Sequence, residues 1–129
     1  MRRDQHPLPN GKTLWVIDSI TQLEAGAVGC VVVSGSHGGM SSSQVALAYR
    51  PLLTVFNDAG VGKDEAGIRG LALLGNEGLA CAMVDYRSAR IGDAQDTYEN
   101  GRVSFVNAPA QALGVRVGMT VKDACALTA

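Results

Sequence analysis

The sequence predicts an α/β fold: a three-layer α/β/α domain around a mostly parallel sheet of about five strands, in a flavodoxin-like or Rossmann-like order. Three observations carry that prediction. Short apolar runs recur at residues 13–17, 30–33, 52–56, 79–84 and 102–106. Runs of this length, apolar at successive positions, suit strands covered on both faces. Segments with helix start and stop signals separate them, which implies right-handed crossovers and parallel pairing. Polar residues gather directly after each run, where an open parallel sheet forms its ligand crevice.

The elements follow in order. Residues 1–12 contain basic residues, two prolines and a His-Pro step but no apolar run, and read as a mobile surface arm. Residues 13–129 read as one domain, without repeat or linker. After the first strand, Asp18 or Ser19 is placed to cap a short helix. The second strand stops in Gly35–His37–Gly39, and Ser41 to Ser43 start a helix that Pro51 ends. The third strand leads into residues 63–76, where Ile68, Leu71 and Leu74 are spaced for one helical face. Gly67, Gly70 and Gly75 weaken that helix, each by about 1 kcal/mol relative to Ala. The fourth strand precedes a helix over 93–100 closed by Gly101. The fifth precedes a turn over 108–113, and Thr120 with Asp123 opens a last helix.

Composition narrows the classes of function. The chain has 129 residues and is 47% hydrophobic, enough for one core. Aromatics are only 5%, so that core is aliphatic. The formal net charge is −1 and no basic stripe is present, which argues against nucleic acid as a partner. No apolar run has the length to span a bilayer, and the N-terminus lacks the apolar core of a secretory signal. Cys30, Cys81 and Cys125 show no paired spacing and read as buried thiols of a reducing cytoplasm. Charged residues at 18% leave room for a surface covered by a further copy, hence a homo-oligomer.

Three loops carry the candidate chemistry. In the loop after the second strand, Ser36 and His37 sit beside Gly38 and Gly39 at a helix start, where unpaired backbone N–H groups suit an anion. Histidine is the residue type most used for proton transfer, which makes His37 a candidate acid or base. The spacing is neither a dinucleotide fingerprint nor a Walker loop. After the third strand, Asn57, Asp58, Lys63 and Asp64 fall in a glycine-containing loop, with Lys63 suited to binding an anion. After the fourth strand, Arg87, Ser88 and Arg90 offer planar donors for carboxylate or phosphate. Two histidines in the chain are too few for zinc catalysis, and no metal ligand set is assigned. Magnesium on Asp18 and Asp58 is the one cofactor the carboxylates would suit.

These residues point to a small enzyme, a hydrolase, lyase or isomerase, acting on a small carboxylate- or carbonyl-bearing metabolite. His37, Asp58 and Lys63 would be catalytic; Ser36, Gly38, Gly39, Asn57, Asp64, Ser88, Arg87 and Arg90 would bind substrate. A non-catalytic anion-binding subunit of a larger assembly is the alternative. A receiver-like phosphoacceptor module is a further one, since Asp18, Asp58 and Ser88 follow successive strands. It lacks the acidic pair after the first strand and the lysine after the fifth, where Asn107 stands.

Overall fold

The computed structural model describes residues 3–128. They form an α/β fold with a six-stranded mixed sheet. The strands are β1 (Arg3–Pro7), β2 (Thr13–Ile17), β3 (Val31–His37), β4 (Leu53–Asn57), β5 (Ala80–Val84) and β6 (Val103–Val106). The helices are α1 (Met40–Tyr49), α2 (Gly70–Gly75), α3 (Ala94–Asn100), α4 (Ala108–Ala112) and α5 (Val121–Leu127). No helix among the described residues is long and apolar enough to cross a membrane.

The sheet departs from the expected one in three ways. The strand order β1-β2-β3-β4-β5-β6 is that of the sequence, with no reversal. A flavodoxin-like or Rossmann-like order would contain one. β2 to β5 pair in parallel, but β1 and β6 are antiparallel to their neighbours. Residues 3–7, expected in a mobile arm, are the edge strand β1, with Gln5 opposite Trp15 and His6 opposite Leu14. Their polarity hid them: an edge strand needs little apolar content, and charge with proline discourages further pairing.

Successive side chains of a strand point to opposite faces, and each face here has its own apolar cluster. Val31, Val33, Leu53 and Val55 join Ala94 of α3, Ala110 of α4 and Ala124 of α5 in one. Trp15, Val32, Phe56 and Met83 join Ile20, Ala46 of α1 and Leu74 of α2 in the other. The cluster facing α3, α4 and α5 is filled in part by small residues: Ala80, Ala82, Ala94, Ala110 and Ala124 are each at most 3% exposed.

Residues 63–76 do not form one helix. Lys63–Ile68 is a 3₁₀ segment interrupted by left-handed Asp64 (φ 56, ψ 29) and Glu65 (φ 60, ψ 29), and only Gly70–Gly75 is α-helical. The apolar spacing spans a break at Asp64 and Glu65, and Gly67 and Gly70 stand where a Cβ would meet the Asp58 carbonyl oxygen and Ser43 Oγ. Helix starts are legible. Ser19 and Gln22 form a capping box, and Asp93, Asn107 and Thr120 each accept a backbone N–H at a cap.

Candidate functional site

The link from β5 to α3 decides which polar residues reach solvent. Residues 85–93 run back as a strap over the C-terminal ends of β4, β3 and β2. The Tyr86 N–H bonds Asp58 Oδ1 at 3.1 Å, and Asn57 Nδ2 donates to the Ala89 carbonyl at 3.1 Å. The Gly92 N–H donates to the Gly35 carbonyl at 2.7 Å, and the Ala94 N–H to Asp18 Oδ1 at 2.9 Å. Gly35 has to lack a side chain, because a Cβ there would lie 2.7 Å from the Asp18 carbonyl oxygen and from the Asp93 nitrogen.

The strap therefore occupies much of the rim where the crevice was expected, and it turns several candidate residues into ties. Asp58 is buried; Oδ1 accepts the Gly60 and Tyr86 N–H groups, and Oδ2 accepts the Ser104 hydroxyl at 2.8 Å. Both carboxylate oxygens of Asp58 are thus engaged in hydrogen bonds within the protein. Asn57 is fully buried, its Oδ1 accepting the Ala59 N–H at 2.8 Å. Ser36 Oγ accepts the Ile20 N–H at 3.0 Å. Gly38 is buried, its carbonyl accepting the Gly70 N–H at 2.9 Å. Ser88 Oγ donates to the Asp85 carbonyl at 2.6 Å and accepts the Arg102 N–H.

The two strap arginines also lie apart from the histidine. Arg87 pairs with Asp85 through Nε at 3.1 Å and Nη2 at 2.8 Å, which lowers the Asp85 carboxyl to about 2. Arg90 lines an open hollow of about 750 Å³ with Arg3, Asp4, Asp18 and Asp93. Asp18 lies there and Asp58 beneath Ser104, so the carboxylates considered for magnesium are held in different surroundings. Among the described residues, no three His, Cys, Asp or Glu side chains cluster as a metal site.

What does converge is a cleft of about 380 Å³ between the β3–α1 turn and the loop after β4. His37, Gly39, Met40, Ser41, Lys63, Asp64, Ala66 and Arg69 line it. Four of these, His37, Gly39, Lys63 and Asp64, were singled out from the sequence. Arg69 was missed because a continuous helix over 63–76 would make it surface decoration. The left-handed turn at Asp64 and Glu65 is what bends it toward the cleft, and Arg69 Nη2 donates to the Asp64 carbonyl at 3.4 Å.

Local geometry explains how each group is presented. Between the pairs Val33–Val55 and His37–Asn57, β3 has three residues where β4 has only Phe56. Such a bulge re-aims side chains, and His37 emerges exposed at the end of a strand buried through Gly35. The Gly39 N–H donates to His37 Nδ1 at 3.0 Å. With Nδ1 accepting, the neutral ring carries its proton on Nε2, a donor toward a ligand. Gly39 is the N-cap of α1 and has no capping side chain, so the first N–H groups of the helix stay open to the cleft.

The loop bearing Lys63 and Asp64 is wound against the preference of L-residues. Ala59 (φ 52), Val61 (φ 72), Asp64 (φ 56) and Glu65 (φ 60) are all left-handed, as are Gly60 and Gly62. The Gly62 N–H bonds the Gly60 carbonyl at 2.9 Å across Val61, a γ-turn of the strained form. Strain of this kind costs about 1–3 kcal/mol per residue and persists where surrounding bonds impose it. Here the Val61 N–H donates to the Asp58 carbonyl and the Gly67 N–H to the Val61 carbonyl, both at 2.7 Å.

The cysteines take no part. All three are free and buried, and burial pushes the Cys125 thiol up to about 12 and Cys81 further. No protein-family model, no curated protein and no solved structure matches the chain.

Proposed function

We propose that the chain is a small enzyme acting on a carboxylate- or carbonyl-bearing metabolite in the His37 cleft, by proton transfer beside a carbonyl as in an isomerase or lyase. The observation that carries this reading is the convergence of His37, Lys63, Arg69 and the uncapped start of α1 on one hollow that contains a single carboxylate, Asp64. Two cations and open backbone donors would hold an anion. The Nε2–H of His37 would donate to the substrate carbonyl oxygen, stabilising the negative charge that develops there. Asp64 would take the proton from the adjacent carbon and return it.

Several finer readings belong with this one. The helices on the two apolar clusters support an α/β/α layering. Free thiols support a cytoplasmic setting, and exposed Val28, Ile91 and Val117 support contact with a further copy. The working ligand needs neither nucleic acid nor a bound metal in this scheme.

The test is deuterium exchange. Pyruvate incubated with the protein in D₂O should lose methyl proton signal by NMR, and Asp64→Asn and His37→Ala should abolish the loss. Lys63→Ala should weaken it through a raised KM. Pyruvate that binds without exchange favours a non-catalytic anion-binding subunit, a reading the openness of the cleft to solvent also supports. Neither exchange nor binding of pyruvate, acetate or phosphate overturns both.

A further inference from the structure

A second hollow of about 400 Å³ adjoins the cleft and shares Met40, Asp64 and Arg69 with it. The two therefore make one groove with chemically distinct ends. At the near end stand His37, Lys63 and Arg69. At the far end the lining adds Ala72 and Leu73 of α2, with Glu65 and Asn76 at the rim.

The far end has no account in the core. α2 reads GLALLG and has no polar residue, yet only Gly70 and Leu74 are buried. Ala72 is exposed, Leu73 half-buried and Met40 42% exposed. A helix apolar on every side is normally covered on every side. Here its outer face and the first residue of α1 form an apolar trough leading out of a cationic cleft.

We propose that this trough is a tail subsite, so that the ligand is a small aliphatic carboxylate: its head at His37, Lys63 and Arg69, its hydrocarbon chain along Met40, Ala72 and Leu73. The inference rests on the anion-binding reading above and adds the class of ligand. Charge complementarity at one end and apolar lining at the other select an amphipathic small molecule over a simple inorganic ion. A chain lying in the trough removes methylenes from water, which at full burial is worth about fourfold in affinity per methylene. In an open trough about twofold per methylene is expected.

The experiment titrates the full-length protein with acetate, butyrate, hexanoate and 1-hexanol, following backbone amide shifts by NMR. Affinity should rise from acetate to hexanoate, and hexanol should bind at least about tenfold more weakly than hexanoate, having lost the charged contacts. Ala72→Gln places a neutral polar side chain in the trough at an exposed, helix-tolerant position; it should erase the gain from chain length and leave acetate unchanged. Met40→Gln, also at an exposed position, should reduce the gain and serves if Ala72→Gln fails to fold. Equal affinity for acetate and hexanoate overturns the tail subsite while leaving the anion site standing. Hexanol binding as well as hexanoate also overturns it, since the head would then be irrelevant. Silence toward every carboxylate overturns the anion-binding reading itself.

Discussion

His37 and Gly39 define each other: the Gly39 N–H donates to His37 Nδ1 at 3.0 Å, and the imidazole lies where a side chain on residue 39 would have to be. A Cβ on residue 39 would fall 2.7 Å from His37 Cε1 and 2.8 Å from Nδ1. The backbone at Gly39 is ordinary, φ −74 and ψ 180, so alanine there is opposed by the ring and not by the chain. Gly39→Ala should swing the imidazole away and weaken pyruvate binding about fivefold, the worth of a hydrogen bond to a neutral carbonyl. His37→Ala should do the same, and the double variant should lose no more than either alone. Titration of the three variants decides it; additive losses would mean the two residues act separately.

Relief of the left-handed turn gives a prediction of opposite sign. Glu65 is exposed and sits at φ 60, a conformation glycine adopts without steric cost. Glu65→Gly should raise the unfolding free energy by about 1 kcal/mol, read from the urea midpoint at unchanged slope. Val61→Gly should give less, because Val61 also packs partly against the core cluster around Phe56. A Glu65→Gly protein no more stable than wild type would mean that the turn is not strained.

Much of the sheet was legible because its central strands are continuous apolar runs with glycine-rich endings. β3 and β4 lie within a few residues of the expected runs, and the helix caps at Ser19, Asp93 and Thr120 follow from local chemistry alone. Strand direction and order were not legible. The antiparallel β6 depends on a strap that crosses the whole rim before α3 begins, and no local signal marks that path. The site was half legible. His37 and Lys63 come from loops that do meet, whereas Arg87, Arg90 and Asp58 answer to the strap. Arg87 and Asp58 are engaged in hydrogen bonds within the protein, to Asp85 and to the Tyr86 N–H, and Arg90 lines a separate hollow. Arg69 was hidden by a backbone reversal at Asp64 and Glu65 that ordinary propensity forbids.

Asp58 should prove a structural residue. Three donors converge on its carboxylate: the Gly60 N–H at 2.8 Å, the Tyr86 N–H at 3.1 Å and the Ser104 hydroxyl at 2.8 Å. Removing a buried acceptor strands its donors, at about 1–3 kcal/mol for each one left unpaired. Asp58→Ala should therefore destabilise by about 3 kcal/mol, and Ser104→Ala by about 1 kcal/mol. Acetyl phosphate should add no mass at Asp58. A labelled Asp58, or a variant as stable as wild type, would return this residue to the chemistry.

The strap also predicts how stability follows acidity. Arg87, bonded to the Asp85 side chain, holds that carboxyl at about 2 against an ordinary value of 3.8. Between those values the unfolded chain binds more proton than the folded one, so stability rises with pH there. The contribution is fully present above about pH 4 and disappears as pH falls toward 2. Arg87 is 75% exposed, so solvent screening keeps the contribution of the pair small. Urea unfolding of Asp85→Asn should show a small deficit at pH 6 that closes by about pH 2 and shrinks in high salt. The Arg87 N–H that bonds Asp85 Oδ1 at 2.8 Å can keep an asparagine oxygen as acceptor, so the variant reports mainly the charge. A deficit that stays constant down to pH 2 would assign the role of Asp85 to shape alone and would leave the ion pair without weight in holding the strap.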